Sequence, residues 1–394
     1  MRVAMVGPFG FHPNKTMRSR ALPLARALTT LGHHVAMFMP PWQTPEQAGR
    51  TWTEEGVTIH YVRLSGGVPA TTWRLVRQVL ATDPDVVHAF KPKAYSGLVA
   101  WWLWTFRRKR AALVTDSDDW EGWGGWNDRA PYSWWQKRFF AWQERWGLRH
   151  HHALTVASRT LESLAWAAGV APARIFYLPN GPGIDPAAAA DRQPREALGL
   201  PKGPILLLYS RLFEFDTTRL VQIVARVCER VPELAVLSVG GGLYATETAA
   251  LRRQLDEAGL LGRIVDVGWQ EEDALPGILA AADVGLYLMD DTLLNRTKCP
   301  VKLADMAAVG LPVVAEAVGQ VPAYVRDGRT GRLRPSGDVA GLAADLIDLL
   351  GDRKERARLG GNAAAHVKAH FSWDRLAQEA ERAYECASGQ ADIA

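Results

Sequence analysis

Cysteine is scarce in this chain. Its 394 residues contain only Cys228, Cys299 and Cys386, an odd number spread far apart, which excludes a disulfide framework and a cysteine-built metal site and leaves three reduced thiols. Long apolar runs are missing too, and none reaches the roughly 20 residues of a membrane-spanning helix. The opening MRVAMVGPFG runs straight into a strand and a glycine loop, without the pattern of a signal peptide. A cytoplasmic protein is the expectation, with the inner face of the membrane as the alternative if the chain binds lipid. Long runs of one charge sign are also absent: 46 Lys and Arg stand against 42 Asp and Glu, a net charge of +4. That balance gives no reason to expect nucleic acid as a partner, and it leaves the oligomeric state open.

What the chain does have is alternation. Strand-like runs near 2–6, 34–39, 57–62, 85–89, 111–115, 153–156 and 175–178 are separated by helical stretches, of which Thr16 to Leu31 is the clearest. Pro179-Asn180-Gly181-Pro182-Gly183-Ile184-Asp185 and the alanine run after Pro186 then read as a linker. A second series follows, near 204–209, 234–239, 264–267, 284–288 and 312–315. Repeated strand–helix units make mainly parallel sheets covered by helices, so the expected class is α/β with two Rossmann-like domains. The boundaries fall at 1–183 and 184–370, with a final helical stretch of about 371 to 394 closing the chain.

Ligands of such sheets bind beyond the carboxyl ends of the strands. The segment Asn295 to Gln320, NRTKCPVKLADMAAVGLPVVAEAVGQ, holds the most informative candidates. Pro300 suits the first helical position, where a missing N–H costs nothing. The amides of Val301, Lys302 and Leu303 would then point outward with the partial positive charge of the helix end. Lys302 adds a full charge. Asp305, one turn deeper on the same face, is placed to accept hydrogen bonds from two sugar hydroxyls. Gly310 ends the helix, and Pro312 to Ala315 reads as a buried strand.

The run Lys302 to Val314 resembles the donor-site segment of the family 4 retaining glycosyltransferases, K-L-x-E-x-M-A-x-G-x-P-V-V. The resemblance implies the GT-B architecture: two facing Rossmann-like domains with parallel sheets, the donor on the second and the acceptor on the first, and a last helix crossing back to the first domain. It also implies a metal-independent, retaining transfer from a nucleoside diphosphate sugar, of UDP or GDP type, to a hydroxyl acceptor on a glycan, glycolipid or small molecule. No cofactor is expected. Of the two glutamates in the family pattern, the ribose-binding one falls on Asp305. The one thought to touch the donor sugar falls on Thr297, which can hydrogen-bond but carries no charge. Ser210-Arg211-Leu212 resembles the family's Gly-Arg-Leu, whose guanidinium fork grips the diphosphate. The family's partner lysine is missing, since Phe215 and Asp216 stand there, and Lys302 supplies the compensating charge. Gly240-Gly241-Gly242 would let the backbone at Gly241 approach a ligand closely. Gly268-Trp269-Gln270 stands where the family packs its base, with Trp269 either stacking or lying in the core.

In the first domain, Gly7-Pro8-Phe9-Gly10 is not Gly-x-Gly-x-x-Gly, and the second strand ends without an acidic residue to hold a ribose. Both departures argue against a dehydrogenase. By resemblance this loop places Gly10 near the donor and Phe11 and Lys15 on the acceptor side. Lys15, Arg18 and Arg20 either meet an anion or form a solvated face. His88, at the end of its strand with Lys91 behind it, is an acid–base candidate or a structural histidine. The three aspartates of Thr115-Asp116-Ser117-Asp118-Asp119-Trp120 would suit a hard cation. Arg211 and Lys302 already meet the diphosphate, however, so Asp118 and Asp119 are expected to face the acceptor, with no metal.

Ten tryptophans lie between Trp101 and Trp146. They stack on sugars, with Trp120 and Trp123 on the acceptor side, or join Arg107-Arg108-Lys109-Arg110 in a peripheral contact with an anionic bilayer, or fill the space between helices. His150-His151-His152, entering a strand, cannot converge on one point. Two rival functions share this architecture: a sugar-nucleotide epimerase and a non-catalytic sugar-nucleotide binder.

Overall fold

The computed structural model describes residues 1–13, 15–190, 195–242 and 244–393. The chain divides into two units, the first made of Met1–Gly181, Thr297–Cys299 and Trp373–Ala394, the second of Pro182–Arg296 and Pro300–Ser372. Unit 1 is built on eight strands: β1 (Arg2–Val6), β2 (His34–Met39), β3 (Thr51–Glu54), β4 (Val57–Tyr61), β5 (Val86–Phe90), β6 (Ala112–Ser117), β7 (Ala153–Val156) and β8 (Ile175–Tyr177). They lie in the order β3-β4-β2-β1-β5-β6-β7-β8. Every neighbouring pair is parallel except β3 and β4. Every residue of β5 and β6 is buried, as expected of strands covered on both faces.

The sequence pattern misses β3. Its exposed, polar Thr51 and Thr53 hide the alternation, but Glu55 and Gly56 adopt φ of +47° and +83°, the left-handed pair of a tight hairpin turn. The helix expected over 16–31 begins instead as a wide, π-type turn over Met17–Ala21 and becomes regular only at Leu22–Thr30. Pro23 has no N–H to offer the preceding turn, and the ladder is irregular where that donor is missing.

The last helix, Trp373–Ile393, packs on the first sheet. Its Leu376, Ala377, Ala380, Ala383, Tyr384 and Ala387 are all in the core of unit 1, at the spacing of one helical face. A buried polar chain fastens it there. The Tyr384 hydroxyl lies 2.9 Å from His88 Nδ1, and His88 Nε2 lies 3.2 Å from Thr155 Oγ1. Thr155 donates to Asp116 at 2.6 Å, so its oxygen accepts from Nε2, and the bare Nδ1 accepts from Tyr384. Arg20 completes the network with a two-pronged grip on Asp116 at 2.9 and 2.7 Å, plus bonds to Asn180 and the Leu178 carbonyl at 2.8 Å each.

This arrangement decides between the alternatives left open for His88 and Arg20. His88 is fully buried, and burial lowers its pKa to about 4, so it is a neutral structural link in place of an exposed acid or base. Arg20 lies on no solvated face.

Unit 2 is a parallel sheet of β9 (Ile205–Ser210), β10 (Ala235–Gly240), β11 (Ile264–Asp266), β12 (Val284–Tyr287), β13 (Val313–Glu316) and β14 (Gly331–Arg334), in the order β11-β10-β9-β12-β13-β14. The edge strand β14 is the one the sequence conceals, because GRLR carries two arginines and little apolar pattern. Gly310 ends the Val301–Ala308 helix at φ +75°, a left-handed closure. A methyl group on Gly360 would strike the Gly310 carbonyl, so glycine lets the Arg353–Phe371 helix approach this turn closely.

Removal of the Tyr384 hydroxyl leaves His88 Nδ1 buried without its donor. Tyr384→Phe is therefore expected to lower unfolding stability by about 1–3 kcal/mol, measured by urea denaturation; an unchanged midpoint would contradict the network.

Candidate functional site

In unit 2 the candidate residues gather around one tyrosine. The strand β9 is apolar and buried until its end, where Tyr209 and Ser210 lead into Arg211. The Val301–Ala308 helix brings Lys302 Nζ to 5.0 Å from the centre of the Tyr209 ring, within range of a cation–π attraction. The Tyr209 hydroxyl hydrogen-bonds to Asp305, and Arg211 lies close enough to act electrostatically on the same tyrosine. The guanidinium of Arg211 is half-buried and, among the described residues, has no hydrogen-bond or ion-pair partner.

Asp305 is buried, and its Oδ1 accepts the Gly183 amide at 2.7 Å. Burial pushes its pKa up to about 7, opposed by the Gly183 amide and Lys302 and reinforced by Glu272. Burial and Asp305 together hold the Tyr209 hydroxyl well above its ordinary range. Two cations, a helix start and a carboxyl poised between its two forms thus stand at the carboxyl end of β9. Such a set suits an anion bearing hydroxyls. Tyr209 and Glu272 were not singled out in the sequence, although the position of Tyr209 two residues before Arg211 was a usable signal.

Pro300 lies one place earlier than expected. It caps the helix with φ −75° and ψ 103°, and its carbonyl accepts the Leu303 amide at 3.2 Å. Val301 is therefore the first helical residue, and the Leu303 amide is engaged within the turn. Thr297 is also relocated: it is fully buried and groups with unit 1, where its carbonyl accepts the Ser158 hydroxyl at 2.7 Å. Asn180 holds the same segment through the Cys299 carbonyl at 2.7 Å. The Thr297 side chain is accordingly closed off from solvent where a donor-sugar contact was expected.

The two glycine loops adopt backbone conformations that favour glycine. Gly240 and Gly241 have φ of +103° and +144°, Gly268 has +62°, and the Gly240 amide bonds to the Gly268 carbonyl at 2.8 Å. Trp269 is 60% exposed, which rules out the core alternative, and Gln270 bonds back to the Val267 carbonyl.

In unit 1 the aspartates after β6 meet lysine. Lys91 Nζ lies 3.1 Å from Asp118, 3.0 Å from Asp119 and 3.2 Å from Glu121, and Lys93 pairs with Glu121. Burial opposes the charge on Lys91, yet the three carboxylates hold its pKa well above the ordinary value. Asp118 is pushed up by burial, whereas Asp119, despite burial, is held down by Lys91 and Lys298. Among the described residues no group of three or more His, Cys, Asp or Glu is arranged to hold a metal ion. Glu144, which the sequence did not flag, is fully buried beneath this cluster with no hydrogen-bond partner on either oxygen; burial and Glu121 push its pKa well above the ordinary carboxyl range.

Gly10 and Phe11 are corrected. A side chain at Gly10 would meet the Tyr61 hydroxyl at 2.9 Å, and Phe11, 4% exposed, gives its amide to that hydroxyl and packs on Trp52. Both serve the core, because the loop folds inward onto Tyr61. Lys15 stays half-exposed, while Arg18 pairs with Glu54 at 2.7 Å. Trp120 is half-buried, its indole bonded to the Trp123 carbonyl at 2.7 Å, and Trp123 is exposed. His151 and His152 are buried and depressed to about 3 and 4, chiefly by burial; they point to separate partners, Leu148 and Leu113.

Comparison with known proteins agrees with this division. A model described as "Glycosyl transferase 4-like domain" matches residues 16–181, and one described as "Glycosyl transferases group 1" matches residues 203–352. The phosphatidyl-myo-inositol mannosyltransferase of Mycolicibacterium smegmatis is 25% identical over 99% of this chain and 95% of its own length. The D-inositol 3-phosphate glycosyltransferase of Mycobacterium tuberculosis is 32% identical over 56% of this chain, a match that spans 46% of that relative. Among solved structures, sucrose-phosphate synthase from Thermosynechococcus elongatus superposes with a TM-score of 0.72 at 20% identity over 98% of both chains. HepE of Anabaena, solved with UDP, superposes at 0.69 and 17% identity over 97% of this chain and 98% of its own. The fold they share is GT-B.

Asp305→Asn keeps an oxygen for the Gly183 amide and the Tyr209 hydroxyl but cannot ionise. A carboxyl that holds its proton more tightly when folded than when unfolded loses the protein stability as pH rises from about 4 to about 7. The parent chain is therefore expected to lose urea resistance across that window relative to Asp305→Asn. Parallel pH profiles would refute the raised pKa.

Proposed function

We infer, from the premise that this chain belongs to the family 4 glycosyltransferases of the GT-B fold, that it moves a sugar from a nucleoside diphosphate sugar to a hydroxyl acceptor with retention of configuration. The observation that carries this reading is the pairing of Arg211 and Lys302 around Tyr209, beside a buried Asp305. Negative charge develops on the departing diphosphate, and fixed cations that meet it lower the barrier. These two side chains supply that charge without a metal ion. The Asp305 carboxyl, already a double acceptor, suits the ribose hydroxyls by exchanging its present partners for them. The exposed Trp269, beside the left-handed Gly268, offers a face to the base.

In the transfer, the bond from the anomeric carbon to the diphosphate oxygen breaks while the acceptor oxygen bonds to the same face of that carbon. The acceptor proton passes to the leaving phosphate, so the scheme needs no separate base, consistent with the burial of His88. The protonated bias of Asp118 and the anionic Asp119 give the first unit one donor and one acceptor of hydrogen bonds for a polyol. The UDP held by HepE supports a uridine donor, and both mycobacterial relatives carry names of glycosyl transfer to an inositol.

Arg211→Ala and Lys302→Ala are each expected to weaken nucleoside diphosphate binding tenfold or more, the loss of a charge-assisted contact of about 1.5–3 kcal/mol, with the urea midpoint unchanged. Calorimetric titration with UDP and GDP measures it, and unaltered affinity in both variants would refute the assignment. Release of free diphosphate only when a hydroxyl acceptor is present separates transfer from epimerisation and from simple binding.

A further inference from the structure

The helices Gly67–Ala81, Ala94–Arg107 and Trp134–Gly147 cover one face of unit 1. Their inward sides are already committed to the core, through Leu75, Val76, Val79, Val99, Ala100 and Leu103. The rings on their outer sides are surplus to that core. Trp135 is 75% exposed, and Trp134, Phe106, Trp73 and Trp142 are each more than 40% exposed. Between the three helices runs an apolar cavity of about 440 Å³, lined by Val68, Pro69, Trp73, Trp101, Trp102 and Phe139. Monomeric surfaces rarely carry so much contiguous aromatic area without an occupant.

Charge decides which occupant. The chain as a whole is nearly balanced, yet these three helices contain a single acidic residue, Glu144, and it is fully buried. The exposed charges on the helices are all positive, Arg77, Arg107, Arg138 and Arg145, and Arg108, Lys109 and Arg110 come directly after the second; Asp83, just after the first, is paired with Arg2 at 3.1 Å. Several stand against the rings, with Arg138 over Trp134 at 4.9 Å, Arg107 over Trp102 at 5.7 Å and Arg108 over Trp104 at 6.0 Å. A second copy presenting the same face would set cation against cation. A surface that is apolar beneath and anionic at its rim satisfies both halves of the pattern, since tryptophan settles at the headgroup level and arginine pairs with phosphate.

We propose that this face docks on an anionic lipid bilayer, with the rings of Trp135 and Phe139 entering the headgroup region and Arg107 to Arg110 meeting lipid phosphates. The Gly67–Ala81 and Ala94–Arg107 helices follow β4 and β5, so their first residues, and the groove they line, lie toward the carboxyl end of the sheet. The aspartates after β6 emerge at that same end. The inference stands apart from the transferase reading, because none of the residues it uses belongs to the proposed donor or acceptor machinery.

The full chain is sedimented with vesicles of equal parts phosphatidylglycerol and phosphatidylcholine, and with vesicles of phosphatidylcholine alone. Binding is expected to the first, to weaken with salt, and to fall more than tenfold in a variant carrying R107E, R108E, K109E and R110E. Trp135→Ser with Phe139→Ser is expected to cut it as well, while UDP or GDP affinity in both variants stays at the parental level. Equal binding to both vesicle types, no binding to either, or a concentration-dependent dimer abolished by the same substitutions would overturn the proposal. Loss of nucleotide affinity in the parent chain would count against the transferase reading alone.

Discussion

Charge taken out of water must be answered where it is buried, and the placement of nearly every polar side chain described above follows from that constraint. A lone buried ion costs several kcal/mol. Accordingly Arg20 meets both oxygens of Asp116, Lys91 is ringed by three carboxylates, and Glu316 at the end of β13 takes Arg219 at 2.9 Å with two backbone amides at 2.7 Å. Where a carboxyl lacks a sufficient answer, as at Asp305 and Glu144, burial raises its pKa and favours the protonated form. Arg211 departs from this rule: its guanidinium is half-buried at a strand end with no partner among the described residues. The proposed function assigns a diphosphate to it as counter-charge.

The chain's two-sheet design was legible because its central strands are largely apolar. Runs such as VVHAF and ILLLYS admit little else when bracketed by helices. The two missed strands lie at sheet edges, where one face meets solvent and the sequence loses its apolar signature. The cluster of Lys302, Asp305 and Gly310 was legible for a different reason. Its lysine, aspartate and glycine stand close together in the sequence, so spacing alone brings them together.

Residues whose partners are remote were not legible. His88, at a strand end, could be read as catalytic or as structural, and only the return of the last helix, nearly three hundred residues later, shows that Tyr384 seals it. Phe11 and Gly10 looked like loop residues facing a ligand, and Tyr61 draws them inward instead. Thr297 sits beside the donor helix in sequence yet is held in the other unit by Ser158. In each case the deciding contact joins distant stretches, which no local pattern encodes. The tryptophans divided likewise: Trp102, Trp104 and Trp146 pack against the core, while Trp134, Trp135 and Trp142 stand outside it.

The central claim is that the diphosphate, more than the base or the sugar, is what the second unit grips. Calorimetric titration of the intact chain with uridine, UMP and UDP, and with the guanosine series, tests it most directly. Affinity is expected to climb steeply with each phosphate in at least one series and to fall as salt is raised. A nucleoside that binds as tightly as its diphosphate, insensitive to salt, would contradict the account.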